Sequence, residues 1–144
     1  MKNVNAKTFW LCIGAGVLIR FILMIIANKY FHSIDFANFC VTGEIAASGK
    51  NVYASTSAYN YGPILFILLG FFHKIAAYFS DSVMVFRILF VSVLTLADFF
   101  IANLAAKKAG NFWGIVFFLN PISLSCATEA GGYHCFSAIC LQLT

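Results

Sequence analysis

Long apolar runs alternate with short polar connections along this chain, and several of the runs have the length of helices that cross a bilayer. Residues 8–27 are nearly all apolar, and about 20 such residues are what a helix needs to span the hydrocarbon core. Lys2 and Lys7 precede this run, as in a signal peptide. The run is long, however, Arg20 interrupts it, and no A-x-A cleavage site follows, so a retained helix is expected. Residues 61–79 form the second run, opened by Gly62-Pro63. Pro63 suits a first helical turn, where its missing N–H costs nothing. His73 and Lys74 lie near the far end, where a lysine can carry its ammonium to the headgroups. Residues 82–106 form a third run, closed by Lys107, Lys108 and Gly110. A fourth, residues 112–127, is broken by Asn120-Pro121. A fifth begins near Phe136 and is still apolar at Thr144, so the chain reads as the N-terminal part of a larger module. The pattern predicts an all-α, polytopic transmembrane protein built as a single membrane domain.

The first connection is unusual. Residues 32–63 read HSIDFANFCVTGEIAASGKNVYASTSAYNYGP, with three tyrosines and several hydroxyls between two apolar runs. Phe36, Phe39, Cys40, Gly43 and Ala47 recur at helical spacing. They predict an amphipathic helix lying in the membrane interface, its aromatic side toward lipid. Asp35 falls at the N-cap of that helix, and Gly49 is a natural left-handed stop.

Composition supports lipid as the solvent. The 144 residues are 62% hydrophobic and 17% aromatic but only 10% charged, with a mean hydropathy of +0.90. A soluble domain carries about a quarter charged residues. The net charge of +4 is scattered, so nucleic acid is not an expected partner. Lysines fall on both sides of the predicted spans, and the positive-inside rule picks no orientation. Five cysteines without a CxxC pair read as small buried hydrophobes. No internal repeat, low-complexity tract or second soluble domain stands out.

Few residues remain to carry chemistry. Asp35, at a helix start on the membrane surface, could act as a general base, since the helix dipole favours its charged form. N-capping is the competing role. Glu44 follows nine residues later, about two and a half turns, and so faces away; a paired-carboxylate site from these two is not expected. Lys50, close to Tyr53, could meet a phosphate or the headgroup layer. Tyr59 and Tyr61 stand at the mouth of the second run, where an interfacial aromatic belt is the simpler reading. Arg20, Arg87 and Asp98 lie inside predicted spans, where charges are costly and usually paired or functional. Arg87 and Asp98 share a helix face but are separated by about 16 Å of rise, so Arg20 is the expected partner of Asp98. Arg87, near the start of its span, could reach a lipid phosphate. Glu129 and His134 follow the Asn-Pro break as further candidates. No metal-ligand spacing is present, so no metal or other cofactor is expected.

Taken in order, these motifs resemble the N-terminal part of the GT-C superfamily of polytopic glycosyltransferases, most closely bacterial members similar to polyprenol-phosphate-mannose mannosyltransferases. The pattern is Asp35-Phe36 after the first span, Gly49-x-x-x-Tyr53, and Tyr61-x-Pro63 opening the second. Asp98 in the third and Asn120-Pro121 in the fourth complete it. The resemblance covers residues 8–139. It implies sugar transfer, usually with inversion, from a polyprenyl-phosphate-linked donor to an acceptor hydroxyl at a bacterial cell membrane. It implies Asp35 as the base, with Lys50, Arg87 and His134 meeting the leaving phosphate and Tyr53 and Tyr61 lining the substrate. Membrane lipids and the lipid-linked donor are the implied partners. After Gly132-Tyr133-His134 the family usually continues Gln-Phe-Asp, whereas here Cys135-Phe136-Ser137 carries no acid. Several further helices belong to the family's cavity, and this length of chain is expected to be inactive alone.

Two other classes fit the same pattern: a small non-enzymatic helical subunit, and a transporter fragment with Asn120-Pro121 as its broken helix. Coding sequence continuing past codon 144 would favour the transferase. All three readings place the chain in a membrane. The protein is therefore expected to stay in the pellet on alkaline carbonate extraction, and release to the supernatant would refute membrane insertion.

Overall fold

The computed structural model describes residues 4–30, 34–57, 59–121 and 123–124. Among these residues every regular element is an α-helix: α1 (Ala6–Tyr30), α2 (Ile34–Ala47), α3 (Val52–Ser55), α4 (Pro63–Ala76), α5 (Ser82–Ala109) and α6 (Asn111–Phe118). Two helices among the described residues are long and apolar enough to cross a membrane, over Ala6–Ile26 and Ser82–Ala109. The second predicted span is shorter than expected. Helix α4 has 14 residues and rises about 21 Å, against about 30 Å of hydrocarbon. The chain leaves it through tight turns, the N–H groups of Tyr78 and Phe79 donating to the carbonyls of Ile75 and Ala76. Asp81 then starts α5 by accepting the Met84 N–H at 3.0 Å. The fourth run breaks at Asn120-Pro121 as expected, with α6 ending at Phe118 and Leu119 at its cap.

Helix α5 is the hub. Its N-terminal half brings Phe86 and Phe90 against Phe36, Phe39, Leu69 and Phe72 of α2 and α4. Its C-terminal half brings Ala102 against Phe9, Ile13 and Phe118 of α1 and α6. The aromatic face of α2 therefore turns into the protein, not toward lipid as its spacing suggested. Phe36 and Phe39 are buried, and their ring centroids lie 5.9 Å from Phe86 and 5.3 Å from Phe90. The cause lies at two glycines. A Cβ at Gly43 would come 3.0 Å from the Leu69 carbonyl, and one at Gly70 would come 2.9 Å from the Ala46 Cβ. With no side chain at either point, α2 and α4 close to backbone contact. The opposite face of α2, with Ile34, Val41 and Glu44, is left exposed.

Helix α6 folds back on α5 through Gly110, whose φ of 100° is a conformation that only glycine adopts cheaply. The two helices approach so closely that a Cβ at Gly114 would lie 2.6 Å from the Ala102 carbonyl oxygen.

A buried polar cluster joins α1 to this pair. Arg20 has no exposed surface, and its Nη2 donates to Asp98 Oδ2 at 2.9 Å. The same nitrogen lies 3.0 Å from the Phe118 carbonyl oxygen and 2.9 Å from Ser123 Oγ. Ser123 in turn donates to Asp98 Oδ2. The guanidinium stacks on the Phe118 ring with its carbon 4.0 Å from the centroid. The expected Arg20–Asp98 pair is thus present, and Ser123 and Phe118 extend it to the segment around the Asn-Pro break.

Two outcomes follow from this packing. Gly114→Ala must push backbone against backbone, and we expect a loss of about 1–3 kcal/mol in unfolding measured in detergent. Gly14→Ala, where a Cβ meets nothing within 4 Å, should be neutral or stabilising by about 0.5–1 kcal/mol. Equal losses at the two positions would mean that α5 and α6 do not meet this way. Asp98→Asn leaves Arg20 buried without its counter-ion, and breaking a buried pair in this way costs about 3–5 kcal/mol. It should lower the melting temperature, and adding Arg20→Gln should recover part of that loss. Strictly additive losses in this double-mutant cycle would show that the pair does not form.

Candidate functional site

Helix α2 organises the residues singled out in the sequence. Asp35 lies in its first turn, not at the N-cap, because the helix already starts at Ile34. The carboxylate is half-buried and has no hydrogen bond or ion pair among the described residues. It is therefore not consumed in capping, as the sequence allowed. The next residue, Phe36, carries the Arg87 guanidinium on its ring, 4.0 Å from the centroid. Arg87 packs against the protein. It is 3% exposed, folded between α5 and α2, with its Nε sealed and unpartnered among the described residues. The only salt bridge among the described residues is Arg20–Asp98, so Arg87 has no described carboxylate as counter-ion.

One turn after Asp35, Phe39 packs against Tyr61 at 5.6 Å between centroids. Tyr61 belongs to a wall of aromatic rings. Tyr59 lies 5.5 Å from Tyr61 and 5.9 Å from Tyr53, and Tyr53 lies 5.7 Å from Phe66 of α4. The phenol of Tyr53 donates to the Tyr61 carbonyl at 2.9 Å, and that of Tyr59 to the Gly62 carbonyl at 2.8 Å. The loop that enters α4 is thus braced by its own tyrosines. Burial, with Tyr53 nearby as a second cause, pushes the Tyr59 phenol up to about 12. Tyr59 is a neutral strut, while Tyr53 is 52% exposed and presents a ring face. Locally, Asn51 caps α3 by accepting the N–H groups of Tyr53 and Ala54.

Lys50 is held elsewhere. Gly49 ends α2 at φ 75°, with the Gly49 and Lys50 N–H groups donating to the Ala46 and Ile45 carbonyls. This closes a Schellman motif. Asp35 and this end are about 18 Å apart along the helix axis. The structure therefore brings Asp35, Arg87 and Tyr61 around the first turns of α2, sets Tyr53 beside Tyr61, and leaves Lys50 at the opposite end. His134 and Glu129 lie outside the described residues.

Sequence reasoning missed two participants. Phe36 is the platform for Arg87; its signal was its place beside Asp35. Cys40 is one turn further along the same face, and burial pushes its thiol up to about 11 against the opposing pull of Arg87. The thiol is thus an uncharged neighbour, and Arg87 has no compensating acid among the described residues. Chemically, the arrangement offers a free carboxylate, a buried cation and a wall of ring faces. Among the described residues no group of three His, Cys, Asp or Glu side chains could hold a metal ion. No family model, curated protein or solved structure matches the chain.

Proposed function

We propose that the chain is an integral membrane protein of the GT-C type, transferring a hexose, most simply mannose, from a polyprenyl phosphate to an acceptor hydroxyl at the membrane surface. The observation that carries this reading is the Asp35 carboxylate, without a partner among the described residues, on a packed helix next to an aromatic residue that carries the buried Arg87 guanidinium. In this reading Asp35 accepts the acceptor hydroxyl proton as that oxygen attacks the anomeric carbon, from within hydrogen-bond reach. The bond from that carbon to the donor phosphate breaks, and its electron pair leaves with the phosphate. Configuration at the carbon inverts. Arg87 and His134 are the cationic candidates to meet the charge on the leaving oxygen, Lys50 being at the opposite end of α2. Tyr53 and Tyr61 supply ring faces to sugar or lipid.

The test is Asp35→Asn in the product of the complete coding sequence, assayed with a labelled polyprenyl-phosphate sugar. Losing the charge in the first turn should cost at most about 1 kcal/mol of stability. Transfer should fall by at least a hundredfold while the melting temperature stays within a few degrees. Transfer surviving within tenfold would remove Asp35 as the base, and no transfer by the unaltered protein would remove the reading altogether.

A further inference from the structure

With residues 61–79 as a span, Lys7 and Lys107 would fall on opposite sides of the membrane. Helix α4, at 14 residues, is too short for that, and the ends of the two long helices meet instead. The side chain of Asn111, two residues past α5, donates at 2.9 Å to the carbonyl of Val4, two residues before α1. Lys7, Lys107 and Lys108 therefore share one end of the bundle, and all three are exposed. No described acid accompanies them. Asp81 caps the opposite end of α5, about 39 Å of helical rise from Lys107. Asp98 is held by Arg20, and Asp35 and Glu44 belong to α2, which packs on the other half of α5.

A collar of aromatic rings stands just inside the lysines. Trp10 is half-exposed, its ring 5.5 Å from Phe9 and 5.9 Å from Phe99. Phe112 and Trp113, in the first turn of α6, are also half-exposed and meet edge to face at 5.6 Å. The first turns of α1 and α6 are level, because a Cβ at Gly114 would lie 3.0 Å from the Phe9 ring. Tryptophan rings favour the boundary between hydrocarbon and headgroups, which sets the lysines among the headgroups. Lys107 and Lys108 also suit the negative end of α5. Lys7 sits in the first turn of α1, where the helix dipole disfavours a cation. Helix stability does not account for Lys7, whereas an anionic layer around all three lysines does. The rings choose lipid over an acidic protein, because they continue the exposed apolar surface of Leu11 and Leu104 directly into the charge. We propose that Lys7, Lys107 and Lys108, with Trp10 and Trp113, form a docking surface for the headgroups of anionic phospholipids. This rests on the membrane placement in the reading above and not on sugar transfer.

Trp10 and Trp113 are the only tryptophans in the chain, so its fluorescence reads this end without a label. The experiment reconstitutes the full 144-residue chain in phosphatidylcholine vesicles doped with acyl-brominated phosphatidylglycerol or acyl-brominated phosphatidylcholine, whose bromines quench tryptophan on contact. Phosphatidylglycerol should quench about threefold or more effectively per mole at low salt. That preference should fall towards unity at about 1 M salt, which tests the unaltered chain in case a variant fails to fold. Lys7→Gln combined with Lys107→Gln and Lys108→Gln should abolish the preference, and Lys74→Gln, at the end of α4, should keep it. Equal quenching by the two lipids, or a preference that survives in the triple variant or at high salt, would overturn the proposal. Equal quenching together with salt-sensitive binding of polyglutamate would overturn it in favour of an acidic protein. No quenching by either lipid would overturn the membrane placement as well. A lipid preference without sugar transfer would sink the transferase reading and leave this one standing.

Discussion

A guanidinium and a carboxylate, each deep within a long apolar helix, are tolerable only in contact with one another. Arg20 and Asp98 meet that condition at 2.9 Å, and most of the fold can be ordered by it. The pair fixes the rotation of α1 about its axis, because only one face can present Arg20 to α5. It fixes the height of α1 as well, since a slip of one turn would move the charge about 5.4 Å away from its partner. Ser123 and the Phe118 carbonyl share the arginine's Nη2 with Asp98, so the segment after α6 is drawn to the same point. Replacement by apolar residues of similar volume often costs little in other buried pairs. What the charges add here is register: apolar helices slide on one another with little change in burial, and this contact does not allow it.

Small residues do the corresponding work where no charge is present. The α2–α4 and α5–α6 contacts close on Gly43, Gly70 and Gly114, each with a neighbour 3.0 Å or less from where a Cβ would stand. Dispersion falls steeply with separation, so backbones this close gain contacts that bulkier seams forgo. The polar contact, with Gly16 against Phe118 and Leu119, holds α1, and the other glycine contacts hold α2, α4 and α6.

How much of this was legible follows from which signals are local. The Arg20–Asp98 pair came from elimination, because the helical rise excludes Arg87 as the partner. The existence of α2 came from the spacing of Phe36, Phe39 and Gly43, and its stop from Gly49. Which way its aromatics point was not legible, since a lipid-facing and a protein-facing stripe have the same period. The deciding residues, Gly43 and Gly70, sit on different helices, and nothing local pairs them. The end of α4 was hidden because Ala77, Tyr78 and Phe79 continue the apolar run through a turn. Asp81 as the cap of α5 was the available cue. The placing of Asp35 missed the cap by about two positions, the usual uncertainty of helix ends. For the candidate site, the sequence found Asp35, Tyr61 and Arg87 but could not separate them from Lys50, because the length of α2 alone sets that distance.

Helix α5 carries both consequences of burying charge in an apolar frame. Asp98 is compensated near its middle and has become structure. Arg87, about 16 Å away along the same helix, has no compensating acid among the described residues and holds its position by stacking on Phe36. That stack matters for Asp35. The residue beside Asp35 is clamped between Arg87 and Phe86, and the residue one turn later is packed against Phe90 and Tyr61. The turn that carries Asp35 is thereby anchored through Phe36 and Phe39, and its short side chain leaves the carboxylate few torsions of its own. A group with so few conformations to lose can be presented to a partner at little entropic cost, which is what proton transfer over a hydrogen-bond distance requires. The same stack ties α5, through Arg87, to the helix turn that carries Asp35.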